Sequence, residues 1–223
     1  MGALVVVTGC GTGIGKTHFA ESLIWRLAGD GWRVGSYKPI ETGIEPGAVE
    51  GADSRRLAGA AVFHVKQRYV FGPPVSPHLA ARDVGVSIDL ARIAADVKDS
   101  REQADAMVVE LAGGLFSPLG QTTTNADLVT QLNPTLHVLI ASNRLGVLHD
   151  VLAVTKTGVP LDLVLLMPAG IADLSQTSNA TELRALGVPC LGALPFGPSK
   201  DLANDPILSE VVATLSARRA LDG

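Results

Sequence analysis

The sequence predicts an α/β protein with a doubly wound, mostly parallel sheet flanked by helices. Short apolar runs rich in β-branched residues alternate with segments of helical periodicity along the whole chain. The first run leads directly into a glycine-rich segment that ends in Lys-Thr. No low-complexity stretch and no fixed repeat interrupts the alternation. A length of 223 residues suits one domain, and we predict a single domain over residues 1–223.

The elements follow in order along the chain. The predicted strands are residues 3–7, 33–37, 106–111, 136–141, 161–167 and 191–194. The first predicted helix starts at residue 18 and ends near residues 29–31, and Pro77 opens a short helix over residues 78–82. Ser87 or Asp89 can cap a helix that runs to about residue 103. The other predicted helices are residues 52–61, 125–132, 145–157, 177–186 and 206–221. Residues 40–51 are predicted to form a long loop, which in a compact domain is usually functional or mobile. Residues 69–71 remain ambiguous between strand and loop.

Composition limits the kinds of partner. Hydrophobic residues make up 47% and charged residues 18%, which suits strands covered on both faces. No apolar run approaches the roughly 20 residues of a membrane span, and the chain starts as a strand rather than a signal peptide. A net charge of −4 argues against nucleic acid. Cys10 and Cys190 lack zinc-type spacing. We therefore expect a soluble cytoplasmic protein without a membrane or nucleic-acid partner.

The glycine-rich segment predicts a phosphate site. Glycines at positions 9, 11, 13 and 15 precede Lys16 and Thr17, and a helix follows. Glycines let backbone N–H groups turn towards phosphate oxygens, and the positive end of the new helix faces the same anion. Lys16 is predicted to reach the outer phosphates and Thr17 to ligate Mg²⁺, as in P-loop nucleotide enzymes. Five residues separate Gly9 from Gly15-Lys16, where the usual loop has four.

Three charged residues are expected at the same edge of the sheet, because ligands of such sheets bind beyond the carboxyl ends of the strands. Lys38 follows the second strand, and beside Lys16 it predicts a clamp for phosphate or carboxylate; alone it is more often a solvated surface charge. Glu110 ends a buried strand, where an unpaired carboxylate is costly. Thr17, Asp53 and Glu110 would supply oxygens to Mg²⁺. Asp53 is otherwise explained as a first-turn acid favoured by the helix dipole.

The histidines give a weaker signal. His137 lies in the middle of a strand and is predicted to be a hydrogen-bonded core residue. His78 and His149 lie in segments that can face the site, and the sequence leaves a substrate contact open for both. No Ser-His-Asp set or metal-type histidine spacing is present.

Several segments together resemble the dethiobiotin synthetase family over nearly the whole chain. The matching segments are Thr8-Gly-x-x-Thr12-Gly-x-Gly-Lys-Thr17, Lys38-Pro-Ile-Glu-Thr-Gly43, Ala52-Asp53, Val75-Ser-Pro-His-Leu-Ala-Ala81, Glu110-Leu-Ala-Gly-Gly-Leu115 and Pro118-Leu119. The family shares the five-residue spacing of the phosphate loop. The pair formed by Lys-Pro-x-x-Thr-Gly and Glu-x-Ala-Gly-Gly is fairly specific, whereas the phosphate loop alone is not.

The resemblance implies an enzyme, a C–N-forming cyclo-ligase of biotin biosynthesis. In that family, ATP and Mg²⁺ drive the joining of CO₂ to 7,8-diaminononanoate through a carbamate and a carbamic-phosphate intermediate. It implies catalytic roles for Lys38, Lys16 and Thr12, and Mg²⁺ binding by Thr17, Asp53 and Glu110. The implied nucleotide-binding residues are Thr12, Gly13, Ile14, Gly15, Lys16, Thr17, His18, Asp53, Glu110, Leu111, Ala112, Gly113 and Pro195.

The resemblance also implies substrate contacts and a homodimer. The implied substrate-binding residues are Lys38, Thr42, Leu145 and Gly146. In this family the carboxylate tail of the substrate is held partly by the partner chain, through the segment that corresponds to residues 143–149 here. The implied partners are therefore 7,8-diaminononanoate, CO₂ or bicarbonate, and a second copy of the chain.

Three positions depart from the family pattern. Leu111 replaces a common Gly and Gly11 a common Asp, and both are minor. Met167-Pro168 stands where the family usually has an Asn that reads the adenine edge, and neither residue can both donate to and accept from a base. The nucleotide preference, ATP or another nucleoside triphosphate, is therefore open.

Other classes compete with this interpretation. A regulatory ATPase of the ParA/MinD type usually carries an early lysine in the phosphate loop, which residues 9–14 lack. GTPases need an Asn-Lys-x-Asp motif, which is absent, and a cobyrinate-type amidating synthetase needs a glutamine-hydrolysing domain. A nucleotide-binding pseudoenzyme is supported by Met167-Pro168 alone.

Overall fold

A seven-stranded parallel sheet forms the centre of the protein. The computed structural model describes residues 1–170 and 173–221, so the predicted domain over residues 1–223 includes four residues outside the described part. The strands are β1 (Ala3–Gly9), β2 (Val34–Tyr37), β3 (Ile40–Thr42), β4 (Phe63–Val65), β5 (Tyr69–Phe71), β6 (Ala106–Glu110), β7 (Leu136–Asn143), β8 (Leu163–Pro168) and β9 (Cys190–Ala193).

Helices connect the strands. They are α1 (Lys16–Gly29), α2 (Ala52–Ala60), α3 (Pro77–Asp83), α4 (Leu90–Arg101), α5 (Asn125–Leu132), α6 (Val147–Thr155), α7 (Asn179–Ala185), α8 (Ser199–Leu202) and α9 (Pro206–Leu221). A 3-10 turn, Leu174–Thr177, precedes α7. Among the described residues, no helix is long and apolar enough to cross a bilayer.

The strand order is β4-β2-β6-β1-β7-β8-β9, and each neighbouring pair is parallel. β1 lies in the middle, so the chain first moves outwards to one edge and then returns past β1 to the other. This arrangement confirms the doubly wound parallel sheet. β3 and β5 pair with each other as a separate two-stranded sheet.

Both faces of the sheet are covered by helices. Along β1, Leu4 and Val6 pack into one core, whereas Val5 and Val7 pack into the other. The core on the side of Val5 receives α1, α2 and α9, and the opposite core receives α3, α4, α5, α6 and α7. Because β1 is buried on both faces, its sequence reads as a continuous apolar run instead of an alternating one.

Most predicted elements are confirmed, and the differences have local causes. The predicted loop over residues 40–51 was wrong in part, because Ile40–Thr42 forms β3, and the ambiguous residues 69–71 are its partner, β5. The edge strand β4 and the four-residue α8 were not predicted. Each of these elements has three or four residues, which is too short for a periodic pattern to show.

His137 is the hydrogen-bonded core residue that the sequence predicts. Its Nε2 lies 2.8 Å from Thr8 Oγ1, and its Nδ1 lies 2.6 Å from the carbonyl oxygen of Pro160. Burial lowers the pKa of this imidazole below its usual value. His137 therefore stabilises the fold as a neutral side chain inside β7.

Candidate active site

The phosphate loop, residues 9–17, joins β1 to α1. Gly13 and Gly15 have φ values of 69° and 95°, a left-handed conformation that other residues rarely adopt. Lys16 is buried, and its Nζ donates to the carbonyl oxygen of Gly11 at 2.7 Å. Burial lowers the pKa of Lys16 to about 8, although the carboxylate of Glu110 favours the charged form. The side chain of Lys16 thus folds back over the phosphate loop and bonds a backbone carbonyl of that loop.

Lys38 joins two carboxylates beside this loop. Its Nζ lies 2.6 Å from Asp53 Oδ2 and 2.6 Å from Glu110 Oε1. Thr17 Oγ1 donates to the same Glu110 oxygen at 2.9 Å. The side chains of Lys38 and Glu110 are 5% and 1% exposed. The structure therefore brings together Thr17, Lys38, Asp53 and Glu110.

The pKa shifts follow from this contact. Burial alone would lower the pKa of Lys38, but the carboxylates of Glu110 and Asp53 raise it above its usual value. Burial likewise opposes ionisation of Asp53, and Lys38 outweighs it and lowers the pKa of that carboxyl. Lys38 and Asp53 are therefore charged at neutral pH.

Glu41 fixes the position of Asp53, a role that the sequence did not predict. α2 begins after Gly51 without a capping side chain of its own. Glu41 instead accepts from the backbone N–H groups of Asp53 at 3.0 Å and Ser54 at 3.2 Å. A Cβ on Gly51 would lie 2.0 Å from the Glu41 carboxyl carbon, so a side chain there would displace this carboxylate from the start of α2. No local sequence pattern marks this contact, because it joins separate elements.

The donor atoms at this position fit Mg²⁺. Glu110 Oε2 is buried and has no hydrogen-bond partner among the described residues, which is unusual for a carboxylate oxygen. Thr17 and Asp53 add two further oxygen-bearing side chains. In residues 1–170 and 173–221, no three His, Cys, Asp or Glu residues form a metal cluster. Mg²⁺ is commonly held by one or two carboxylates together with phosphates and waters, and Asp53 and Glu110 offer two.

A cleft of about 280 Å³ opens over these residues. We call it the phosphate cleft; its lining is Thr12, Gly13, Ile14, Gly15, Lys16, Thr17, His18, Lys38, Glu41, Thr42, Asp53, Arg56, Glu110, Ala112 and Gly113. Arg56, which also was not predicted, is tied to Glu21 by an ion pair of 2.5 Å.

A second pocket of about 270 Å³ adjoins the loop. We call it the apolar pocket; its lining is Gly13, Ile14, Gly15, His18, Met167, Pro168, Pro195, Phe196 and Gly197. His18 lines both spaces, and its Nε2 lies 2.8 Å from the carbonyl oxygen of Gly197. A Cβ on Gly15 would lie 3.0 Å from Met167 Cγ, so Met167 packs directly against the phosphate loop.

Some predicted site residues lie elsewhere. Leu111 does not line the phosphate cleft, because its side chain is buried in the core and its N–H donates to the carbonyl oxygen of Val7. Leu145, 76% exposed, and Gly146 precede α6 and line neither the cleft nor the apolar pocket of their own chain. His78 lines a different cavity, and His149 is an exposed residue of α6.

We predict that Lys38 and Glu110 are energetically coupled. Lys38→Met leaves a carboxylate buried without its cation, and we expect a loss of about 3–5 kcal/mol in the free energy of unfolding. Adding Glu110→Gln to that variant should restore part of the loss. Urea unfolding of the wild type, both single variants and the double variant measures the coupling.

The exposed pair between Arg92 and Asp89 provides the control, because Arg92→Met should cost about 0–1 kcal/mol. Purely additive costs of Lys38→Met and Glu110→Gln would contradict the coupling.

Comparison with known proteins places the chain in a family. A family model described as an AAA domain matches residues 4–201. The ATP-dependent dethiobiotin synthetase BioD of Ralstonia nicotianae is 37% identical over 210 residues, which cover 87% of this chain and 90% of that protein. The BioD protein of Novosphingobium aromaticivorans is 39% identical over 196 residues, with 85% and 89% covered.

Solved structures show the same fold at lower identity. The hydrogenase maturation factor HypB from Archaeoglobus fulgidus matches with a TM-score of 0.58 at 17% identity, covering 96% of this chain and 90% of that one. The septum site-determining protein MinD from Pyrococcus horikoshii, complexed with Mg-ADP, matches with a TM-score of 0.55 at 14% identity, covering 97% and 95%. The fold is thus of the P-loop type. The family is shown by the dethiobiotin synthetases, which are 37% and 39% identical over most of this chain. The chain belongs to the dethiobiotin synthetase family.

Proposed function

We propose that this protein is an ATP-dependent dethiobiotin synthetase, which joins CO₂ to 7,8-diaminononanoate and closes the ureido ring. The observation that carries the proposal is the contact of Lys38 with Glu110 and Asp53 beside the phosphate loop. The names of the curated relatives support the same activity. The whole chain would act as one P-loop domain, because both cores share a single sheet.

The phosphate cleft would hold the nucleotide through the phosphate loop. Backbone N–H groups of residues 13–17 and the amino end of α1 favour phosphate oxygens. Lys16 adds a cation to the outer phosphates. Since its pKa is held at about 8, the approach of phosphate charge would favour its protonated form near neutral pH. Thr12 lines the same cleft and would contact the reacting groups.

Thr17, Asp53 and Glu110 would hold Mg²⁺ in this cleft. When bound, the ion neutralises phosphate charge and raises the electrophilicity of the γ-phosphorus. The chain's own contribution is to fix the two carboxylates in place, through Lys38 and through the Glu41 bonds to α2.

The reaction would proceed in three steps. One amine of diaminononanoate adds to CO₂ and loses a proton, giving a carbamate. A carbamate oxygen attacks the γ-phosphorus, ADP leaves, and a carbamic-phosphate anhydride forms. The second amine then attacks the anhydride carbon, which expels inorganic phosphate and closes the ring. Lys38 and Thr42 line the cleft next to the phosphate loop, where they would hold the carbamate oxygens and offset the charge that develops.

A homodimer would complete the substrate site. The segment with Leu145 and Gly146 is exposed and lines neither pocket in its own chain. In a dimer it would face the partner's cleft and bind the carboxylate tail of the substrate there. A hydrogen bond fixes the backbone of this segment, because the N–H of Leu145 donates to Asp173 Oδ2 at 3.0 Å.

The proposed activity is tested by incubating the protein with diaminononanoate, bicarbonate, Mg²⁺ and ATP and measuring dethiobiotin. Lys38→Ala should lower turnover per folded protein by about 10²–10³, because a charge contact realised mainly in the transition state is lost. Its nucleotide affinity, measured by calorimetry, should stay close to that of the wild type. Lys16→Ala should weaken both nucleotide affinity and turnover.

Absence of dethiobiotin with the folded wild type would refute the activity. Normal turnover of Lys38→Ala would refute the role assigned to Lys38.

We predict loose recognition of the nucleotide base. The apolar pocket offers Met167, Pro168, Pro195 and Phe196, and the polar side chain in its lining, His18, already bonds the carbonyl oxygen of Gly197 through Nε2. Rates with ATP, GTP and CTP should then differ by less than roughly tenfold to a hundredfold, at about 1.4 kcal/mol per factor of ten. Met167→Asn should increase the preference for ATP, whereas Met167→Leu, the packing control, should not. A preference for ATP of several thousandfold in the wild type would contradict this prediction.

A further inference from the structure

Asn125 is a buried polar residue behind the phosphate cleft. It is the first residue of α5 and is 1% exposed. Its Nδ2 donates to the carbonyl oxygens of Ala112 at 2.7 Å and Gly114 at 2.8 Å. Both acceptors belong to the turn that follows Glu110. One side-chain amide thus holds two peptide groups of the segment that borders the cleft.

The other end of the same amide has no partner. Asn125 Oδ1 is buried and accepts no hydrogen bond from any residue that the structure describes. An unpaired buried acceptor is costly, and an apolar side chain of similar size would avoid that cost. Both neighbours of Nδ2 are carbonyl oxygens, so the donating end of the amide must face the turn. The role of this side chain therefore lies in its two N–H donors, which hold the turn.

A hydrogen bond that fixes the C=O of a peptide also fixes the direction of the N–H of the same peptide. In a trans peptide the C=O and the following N–H point in opposite directions, and no described peptide is cis. The Gly114–Leu115 peptide shows the result: Asn125 holds the carbonyl oxygen of Gly114, and the N–H of Leu115 donates to Gly9 in the phosphate loop at 2.8 Å.

The Ala112–Gly113 peptide is held in the same way. Asn125 binds the carbonyl oxygen of Ala112, so the N–H of Gly113 points away from α5. Gly113 lines the phosphate cleft and has φ 72°, a conformation that suits glycine. A Cβ at this position would also lie 2.3 Å from Ser117 Oγ. The glycine therefore allows the turn that Asn125 fixes.

We propose that Asn125 is a positioning residue that directs the N–H of Gly113 into the phosphate cleft, as a donor to an anionic oxygen of the reacting groups. The inference rests on the proposed function. The oxygen belongs either to the γ-phosphoryl group or to the carbamate, and both carry negative charge that a fixed backbone donor stabilises.

The test compares two variants with a control on the same helix. Asn125→Leu removes both N–H donors at similar size, and Asn125→Asp replaces the Nδ2 group with an oxygen that repels the two carbonyl groups. Leu128→Val is the control, because Leu128 is buried in α5 and lies outside the turn. We expect kcat to fall about tenfold to a hundredfold in both Asn125 variants and to be retained in the control, while ADP affinity changes less than about threefold.

Two further measurements identify the oxygen. If it belongs to the γ-phosphoryl group, calorimetry should show a lower ratio of ATP to ADP affinity in Asn125→Leu. If it belongs to the carbamate, that ratio should stay constant and the KM for diaminononanoate or bicarbonate should rise.

The proposal is overturned if kcat per folded protein, the affinity ratio and both KM values are all unchanged. It is also overturned if the loss of kcat in the Asn125 variants only follows their loss of stability, so that correcting for the folded fraction removes it. A wild type that forms no dethiobiotin refutes the proposed function instead. The ratio of ATP to ADP affinity can be measured without turnover. If the wild type is inactive and this ratio is also unchanged in Asn125→Leu, the positioning role of Asn125 is overturned as well.

Discussion

The carboxylate of Glu110 is the constraint on which the site depends. It ends β6, which lies between β2 and β1, and a charge at this depth needs partners. The register provides them, because Glu110 pairs with Val7 of β1 and its neighbour Val109 pairs with Tyr37 of β2. Lys38 directly follows Tyr37, so the strand order itself delivers the cation to the acid. The contact is a product of the sheet rather than of a flexible loop.

Much of this could be predicted because parallel strands end at one edge. That rule alone placed Lys38 and Glu110 beside the phosphate loop, without knowledge of the strand order. Leu111 shows where the rule stops: successive residues of an extended chain face opposite sides, so the residue after Glu110 turns into the core. The capping of α2 by Glu41 depends on a contact between separate elements, and no local pattern in the sequence announces it.

The likeness to MinD and HypB shows how little the fold alone says about activity. Both share the sheet at under 20% identity, and folds of this type support many functions. A regulatory ATPase would use the same phosphate loop. The features that favour a synthetase lie beyond that loop, where Lys38 and Thr42 enter the cleft from β2 and β3 and the glycine turn after β6 closes it. The residues that distinguish functions within this fold are therefore the neighbours of the phosphate loop.

The packing of Met167 against Gly15 couples the shape of the apolar pocket to the backbone of the phosphate loop. Met167 forms a wall of the apolar pocket, and Gly15 is the last glycine before the lysine of the phosphate loop. A larger residue, or one branched at Cβ, at position 167 would press on the backbone that turns towards the phosphates. If Met167 contacts the base as proposed, a change in base preference at this position is restricted by the backbone geometry that the phosphates require. A lineage that changes the nucleotide it prefers would have to accept a side chain at position 167 that leaves Gly15 undisturbed.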